Sequence, residues 1–214
     1  MAGSGPTGAI AALCAAEAGW RTALVAPRVD RDPRTTALMM PAISLLEELA
    51  VWPLTADDAA PLATIRIIDD TGRLPRAPEI AFDAHEIGLD QFGFNIPNDA
   101  LNKALAARLA AAGVSRVDAR ASGLVPGQPA TVTTARRLVE AAFVVGADGF
   151  HSLIRAGMGF GERRWSYDQS ALVTTLSHER PHGDASVEFH TADGPFTLVP
   201  LPGDRSSLVW VGRP

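Results

Sequence analysis

The stretch Gly3-Ser4-Gly5-Pro6-Thr7-Gly8 opens onto Ala9-Ile10-Ala11-Ala12-Leu13-Cys14-Ala15-Ala16-Glu17-Ala18 and stops at Gly19, and a short apolar run, Thr22-Ala23-Leu24-Val25, follows at once. The order reads as glycine loop, helix and strand, which is the arrangement of a dinucleotide site. In such a loop Gly3 lets the chain turn sharply, Gly5 lets backbone N–H groups approach a pyrophosphate, and Gly8 lets the helix sit close to a sheet. The diphosphate then meets the free N–H groups and the positive end of the helix. Only Met1 and Ala2 precede Gly3, so the strand that sets the geometry of the loop is expected to be lacking. Taken alone, six residues of this pattern also describe a plain tight turn.

Composition narrows the classes. A chain of 214 residues can bury one substantial core or two small ones. With 47% hydrophobic and 20% charged residues it is globular, and a net charge of −5 gives no basic footprint for nucleic acid. Cys14 is the only cysteine, so no internal disulfide forms, and its alanine neighbours predict a small buried hydrophobe. The five histidines, His85, His151, His178, His182 and His190, have no metal-ligand spacing. No apolar run reaches membrane-spanning length and no signal segment opens the chain, which predicts a cytoplasmic protein.

Further along, Ala26 to Arg34 reads as a polar, proline-broken loop. A helix is expected from Pro41, with Ile43, Leu46 and Leu49 on one face up to Trp52-Pro53. Ile65 and Ile67 before Asp69-Asp70-Thr71-Gly72 suggest a β-hairpin. Helix returns at Asn98, read as an N-cap, with Leu101, Leu105 and Leu109 on one stripe and Gly113 at the end. A hairpin over Thr131–Thr134 and Leu138–Ala141 precedes an apolar strand, Ala142-Phe143-Val144-Val145. Four strand-like runs follow between Leu172 and Val211, and both ends of the chain look cut.

Gly146-Ala147-Asp148-Gly149-Phe150-His151-Ser152-Leu153-Ile154-Arg155 resembles the second fingerprint of flavin-dependent aromatic hydroxylases of the p-hydroxybenzoate hydroxylase type. Asp32 to Leu38, Leu45 to Trp52, Phe92 to Leu101 and Gly194 to Pro202 look like the ubiquinone-biosynthesis branch of that family. The resemblance covers the chain and corresponds to the front half or so of such an enzyme. It implies an α/β fold: an FAD-binding Rossmann-like domain of the glutathione-reductase type, interleaved with a partial β-rich substrate domain. The expected division is residues 1–62 and 96–162 for FAD, and 63–95 and 163–214 for substrate.

By the same resemblance Gly3, Gly5, Pro6, Thr7 and Gly8 would hold the FAD pyrophosphate and ADP ribose, and Arg34 would reach the cofactor from the loop after the second strand. Asp148 and Gly149 would bind FAD near its pyrophosphate and bear on NAD(P)H, Arg155 would brace that turn, and Asn98 would face the cofactor. Bland readings stand beside these: a turn aspartate, a solvated arginine, a helix-surface charge, an N-cap. The implied reaction is a monooxygenation in which NAD(P)H reduces the flavin and O₂ supplies the oxygen placed on an aromatic ring, here a polyprenyl phenol precursor of ubiquinone. The chemistry is the cofactor's, so no catalytic residue is assigned and no metal is expected. A prenylated substrate is compatible with contact at the inner face of a membrane, and a homo-oligomer or biosynthetic complex stays open.

Two departures from the family matter. An acidic residue for the ribose is replaced by Ala26-Pro27-Arg28, with Asp30 displaced, and a third, Gly-Asp fingerprint is expected beyond Pro214. These predict weak FAD binding by this chain. Another flavin oxidoreductase of the same fold, or a non-catalytic fragment acting as a scaffold, fits the same cofactor motifs.

Overall fold

The computed structural model describes residues 1–28, 31–54 and 57–214. In chain order the elements are α1 (Pro6–Glu17), β1 (Ala23–Val25), β2 (Thr35–Met39), α2 (Met40–Glu48), β3 (Ala60–Leu62), β4 (Thr64–Asp70), β5 (Ile80–Asp83), a 3-10 turn (Ala84–Ile87), β6 (Gly93–Pro97) and α3 (Asn98–Ala111). Then come β7 (Ser115–Val117), β8 (Ala121–Val125), β9 (Ala130–Thr134), β10 (Leu138–Ala141), α4 (Leu153–Gly157), β11 (Ser170–Ser177), β12 (Ala185–Thr191), β13 (Pro195–Leu201) and β14 (Arg205–Gly212). They form two compact units: residues 1–32, 49–51 and 101–164, and residues 33–48, 52–100 and 165–214. The architecture is the α/β one expected.

In the first unit β1 and β7 run parallel, Val25 beside Val117. Ala2 forms parallel bridges to Val25 on one side and Gly146 on the other. Strands β8, β9 and β10 make an antiparallel meander, and the Thr134 hydroxyl closes its second turn by accepting from the Arg136 and Arg137 N–H groups at 3.2 and 3.0 Å. Ala2, Val25, Val117, Ala119, Val132 and Ile154 are buried together. The predicted stripe on α3, Leu101, Leu105 and Leu109, is buried.

The second unit holds a six-stranded sheet, β11-β14-β13-β12-β4-β5, antiparallel except where β12 and β4 run parallel. A three-stranded sheet, β2-β6-β3, belongs to the same unit. Asn95 on β6 is 1% exposed, and its amide donates to the Pro200 carbonyl on β13 at 2.8 Å, tying one sheet to the other. Asn95→Ala leaves that carbonyl buried without its donor, and the urea midpoint is expected to fall by the equivalent of about 1–3 kcal/mol.

Several local expectations are corrected. Cys14 is exposed, because α1 buries Gly8, Ala9, Ala12 and Leu13 and one further residue turns the side chain about 100° away from that face. Ala142–Val145 forms no strand: Phe143 is 51% exposed and meets Trp20 edge-on at 5.1 Å. Among the described residues the segment's pairing is a single bridge, Ala2 to Gly146. The hairpin near Asp69 has a loop from Thr71 to Glu79 rather than a tight turn. The Asp69 carboxylate organises that loop, accepting from the Ala77 N–H, the Thr71 hydroxyl and the Thr71 N–H, and these bonds hold its pKa down at about 2. Asn98 is the first residue of α3 rather than a residue ahead of it. Strands β2, β3, β6, β7 and β8 have no counterpart in the sequence reading. Asp30 lies outside the described residues. Among the described residues no helix is long and apolar enough to cross a membrane.

Candidate nucleotide site

Met1 and Ala2 fill the place of a first strand. The Ala2 N–H donates to the Val145 carbonyl at 2.9 Å, and the Ala147 N–H donates back to the Ala2 carbonyl at 2.8 Å. On the other side the Gly3 N–H reaches the Val25 carbonyl at 3.0 Å and the Val25 N–H the Met1 carbonyl at 2.8 Å. Two residues therefore fix the glycine loop from both flanks, which corrects the expectation that its geometry lacks support.

The three fingerprint glycines serve different ends. Gly3 has φ +109°, and a Cβ on it would lie 2.0 Å from the Ala147 carbonyl oxygen. A Cβ on Gly8 would lie 2.1 Å from the Gly3 carbonyl oxygen, so α1 can pack against the loop only without one. Among the described residues a Cβ on Gly5 would meet nothing within 4 Å, and no side chain caps the first turn of α1. The N–H groups at that end have no intrahelical partner, which makes the open space in front of Gly5 suited to an anion.

The Asp148 turn stands beside this loop. Its carboxylate accepts from the Ser152 hydroxyl, from the Leu153 N–H at 2.7 Å and from the Ile154 N–H at 3.2 Å. Ser152 in turn accepts from the Arg155 N–H at 3.0 Å, so the two side chains together cap α4. Burial pushes the Asp148 carboxyl up, but the Ser152 hydroxyl and the surrounding backbone N–H groups outweigh it and leave the group below its ordinary value. Gly149 makes the turn at φ +85°. Gly146 passes so close to α4 that a Cβ would meet Ile154 at 2.9 Å.

Gly3, Gly5, Asp148 and Gly149 line one cleft of about 400 Å³, with Ser4, Pro27, Arg120 and His151. Pro6, Thr7 and Gly8 form the first turn of α1 and do not line the cleft. Arg155 does not line it: its guanidinium donates to the Phe150 carbonyl at 2.8 Å and pairs with Glu162 at 2.7 Å. Arg34 and Asn98 belong to the second unit, where the Asn98 N–H donates to the Arg34 carbonyl at 2.9 Å and the Asn98 side chain accepts from the Thr36 hydroxyl at 2.6 Å. None of Ser4, Pro27, Arg120 and His151 is given a cofactor role by the sequence reading. Arg120 follows β7, a strand too short to leave a period. At the end of β1, where an acid was expected, the Arg28 N–H finds Asp118 at 3.0 Å.

The second unit has a cleft of its own, about 930 Å³, with Phe189, Phe196 and Trp210 on one wall and Asp70, Asp193 and Arg213 also lining it. Phe189 lies opposite Phe196, and Phe196 opposite Trp210, so the three rings share one face of the sheet and meet near-perpendicularly at 6.0 and 5.9 Å. Trp52 packs on Phe94 at 4.7 Å, and Trp165 is 70% exposed, so neither joins that wall.

A family model described as FAD binding domain matches residues 1–213. The chain is similar to ubiquinone hydroxylase UbiL of Rhodospirillum rubrum, 34% identical over 187 residues that cover 85% of this chain and 42% of the relative. It is also similar to the 3-demethoxyubiquinol 3-hydroxylase of Escherichia coli, 30% identical over 232 residues, covering 100% of this chain and 57% of the relative. The chain thus spans about half the length of the relatives it matches. Among solved structures, Pseudomonas aeruginosa PqsL in complex with 2-aminobenzoylacetate superposes with a TM-score of 0.82 at 20% identity, covering 99% of this chain and 59% of that one.

Proposed function

Because the chain belongs to the FAD binding domain family, we propose that the cleft at Gly3, Gly5, Asp148 and Gly149 holds the diphosphate of FAD, and that the protein is a flavin-dependent monooxygenase hydroxylating a polyprenyl phenol precursor of ubiquinone. The observation that carries the first part is the empty space at Gly5 in front of the uncapped end of α1. A diphosphate there accepts from backbone N–H groups with no side chain in the way. Gly3 and Gly8 keep loop and helix in contact, and Asp148 keeps the facing turn closed by capping α4. Arg34 and Asn98 stay in the proposed cofactor set on the family resemblance.

FAD supplies the redox chemistry when bound: it takes electrons from NAD(P)H and activates O₂ for transfer to an electron-rich ring. The chain's part is to bind, orient and exclude water. The wall of Phe189, Phe196 and Trp210 offers an aromatic surface for a ring with an isoprenoid tail. The names of the two relatives support the substrate class. A prenylated substrate would also draw the protein to a membrane surface.

Titrating the chain with FAD and following the flavin fluorescence tests the cofactor half: saturable quenching, reversed by excess ADP, is expected. Flavin fluorescence that stays unchanged to millimolar protein overturns it. The reaction is tested on the full-length protein by incorporation of labelled O₂ into a prenylated phenol. NADPH oxidation with no substrate-dependent hydroxylated product would sink that half alone.

A further inference from the structure

We propose that Glu162 is a positioning residue for the nucleotide cleft, acting through two arginines on the Phe150–His151 segment; the proposal rests on reading that cleft as a flavin site. Glu162 receives two guanidinium groups, Arg155 at 2.7 Å and Arg164 on its other oxygen. Both arginines act on one residue. Arg155 donates to the Phe150 carbonyl at 2.8 Å, and Arg164 stands 5.3 Å above the centre of the Phe150 ring. Phe150 is 72% exposed, so burial does not fix it, and these two contacts take that role. Its ring in turn meets His151 edge-on at 4.9 Å, and His151 lines the cleft with Asp148 and Gly149.

The inner side of the turn is held by the Asp148 cap on α4. A Cβ on Gly149 would meet nothing within 4 Å among the described residues, so packing at Gly149 itself does not hold the turn. The hold on the outer side is indirect: Glu162, on the segment that leads out of the first unit, acts through Arg155 and Arg164 on Phe150, the residue after Gly149. One carboxylate shared between two guanidinium groups costs less side-chain entropy than two separate pairs, because Glu162 is ordered once. Without it the arginines repel each other and release Phe150, and His151 loses its neighbour.

The test compares Glu162→Gln and Glu162→Asp with the unaltered chain. Amide exchange at residues 149–152 is expected to quicken about fivefold in Glu162→Gln, matching the loss of two half-exposed pairs, and to recover partly in Glu162→Asp. FAD affinity is expected to fall by a similar factor, and the gap between wild type and Glu162→Gln to close at high salt, which screens the pairs. Amides 131–134 of the meander serve as the control and stay unchanged. Exchange at 149–152 equal to wild type overturns the proposal. So does altered exchange with unaltered FAD affinity. A wild-type chain that takes no FAD at all refutes the functional reading, and the exchange arm then decides the proposal by itself.

Discussion

Gly3→Ala is expected to disrupt the nucleotide loop, while Gly5→Ala leaves the fold intact and removes flavin binding. At Gly3 the new Cβ would sit 2.0 Å from the Ala147 carbonyl oxygen, and the residue would have to hold φ +109°. Left-handed strain and overpacking each cost an alanine on the order of 1–3 kcal/mol, together about 3 kcal/mol. For a chain of this length that lowers Tm by roughly 6–12 °C. Gly8→Ala meets the same limit at 2.1 Å from the Gly3 carbonyl oxygen. Gly5 is the contrast, because it has φ −65° and ψ 170°, a conformation any residue adopts, and a Cβ there would meet nothing within 4 Å among the described residues. Its alanine variant should melt within about 0.5 kcal/mol of wild type. The methyl group projects into the space assigned to the diphosphate, and FAD affinity should drop at least about tenfold, or 1.4 kcal/mol. Thermal melts beside flavin titrations decide it: Gly5→Ala binding FAD as well as wild type would remove the site from this cleft.

That contrast also shows how much was legible in the sequence. The glycine spacing foretold the loop, and the Gly146–Arg155 run foretold the turn that faces it. Both are patterns of residue type, readable without neighbours. What the letters Gly3 and Gly5 did not reveal is that one glycine is required by the protein's own backbone and the other by space left for a ligand. The first strand was thought lost because a strand is recognised by its length. Two residues suffice here because Val25 and Val145 flank them and hydrogen-bond them from both sides. The short strands β7 and β8 escaped for the same reason: three to five residues carry no readable period. With them went Arg120, which lines the cleft. Ala142–Val145 failed in the opposite direction, since an apolar run promises a buried strand only when partners exist along its whole length. Longer strands such as β13 and β14 were clear as strand-like runs between Gly-, Pro- and Asp-rich turns, but the row of Phe189, Phe196 and Trp210 depends on register, which pairs residues distant in sequence.

Asp148→Ala is expected to cost about 2 kcal/mol, since it strips the cap from α4 and leaves the Leu153 and Ile154 N–H groups and the Ser152 hydroxyl without their acceptor. Asp148→Asn should keep most of that stability. An amide oxygen still accepts from the backbone, and its NH₂ can donate to Ser152, so asparagine caps nearly as well as aspartate. The two variants separate the turn's two roles. If Asp148 serves the site by closing the turn, Asp148→Asn retains FAD affinity to within about threefold while Asp148→Ala loses at least about tenfold, 1.4 kcal/mol. An Asp148→Asn variant as weak as Asp148→Ala would mean that the carboxylate itself contacts the ligand. The pH dependence gives an independent check. The folded Asp148 carboxyl lies below its unfolded value of 3.8, so its contribution is fully present above that value and disappears as pH falls through the lower, folded one. Asp69 in the second unit behaves alike and is lost toward about 2, so wild type and variants share that part of the acid profile. The difference between wild type and Asp148→Asn should therefore be flat above pH 4 and shrink below it, as read from urea midpoints across an acid series. A difference that stays constant to the acid limit would show that the Asp148 charge plays no part in holding the turn.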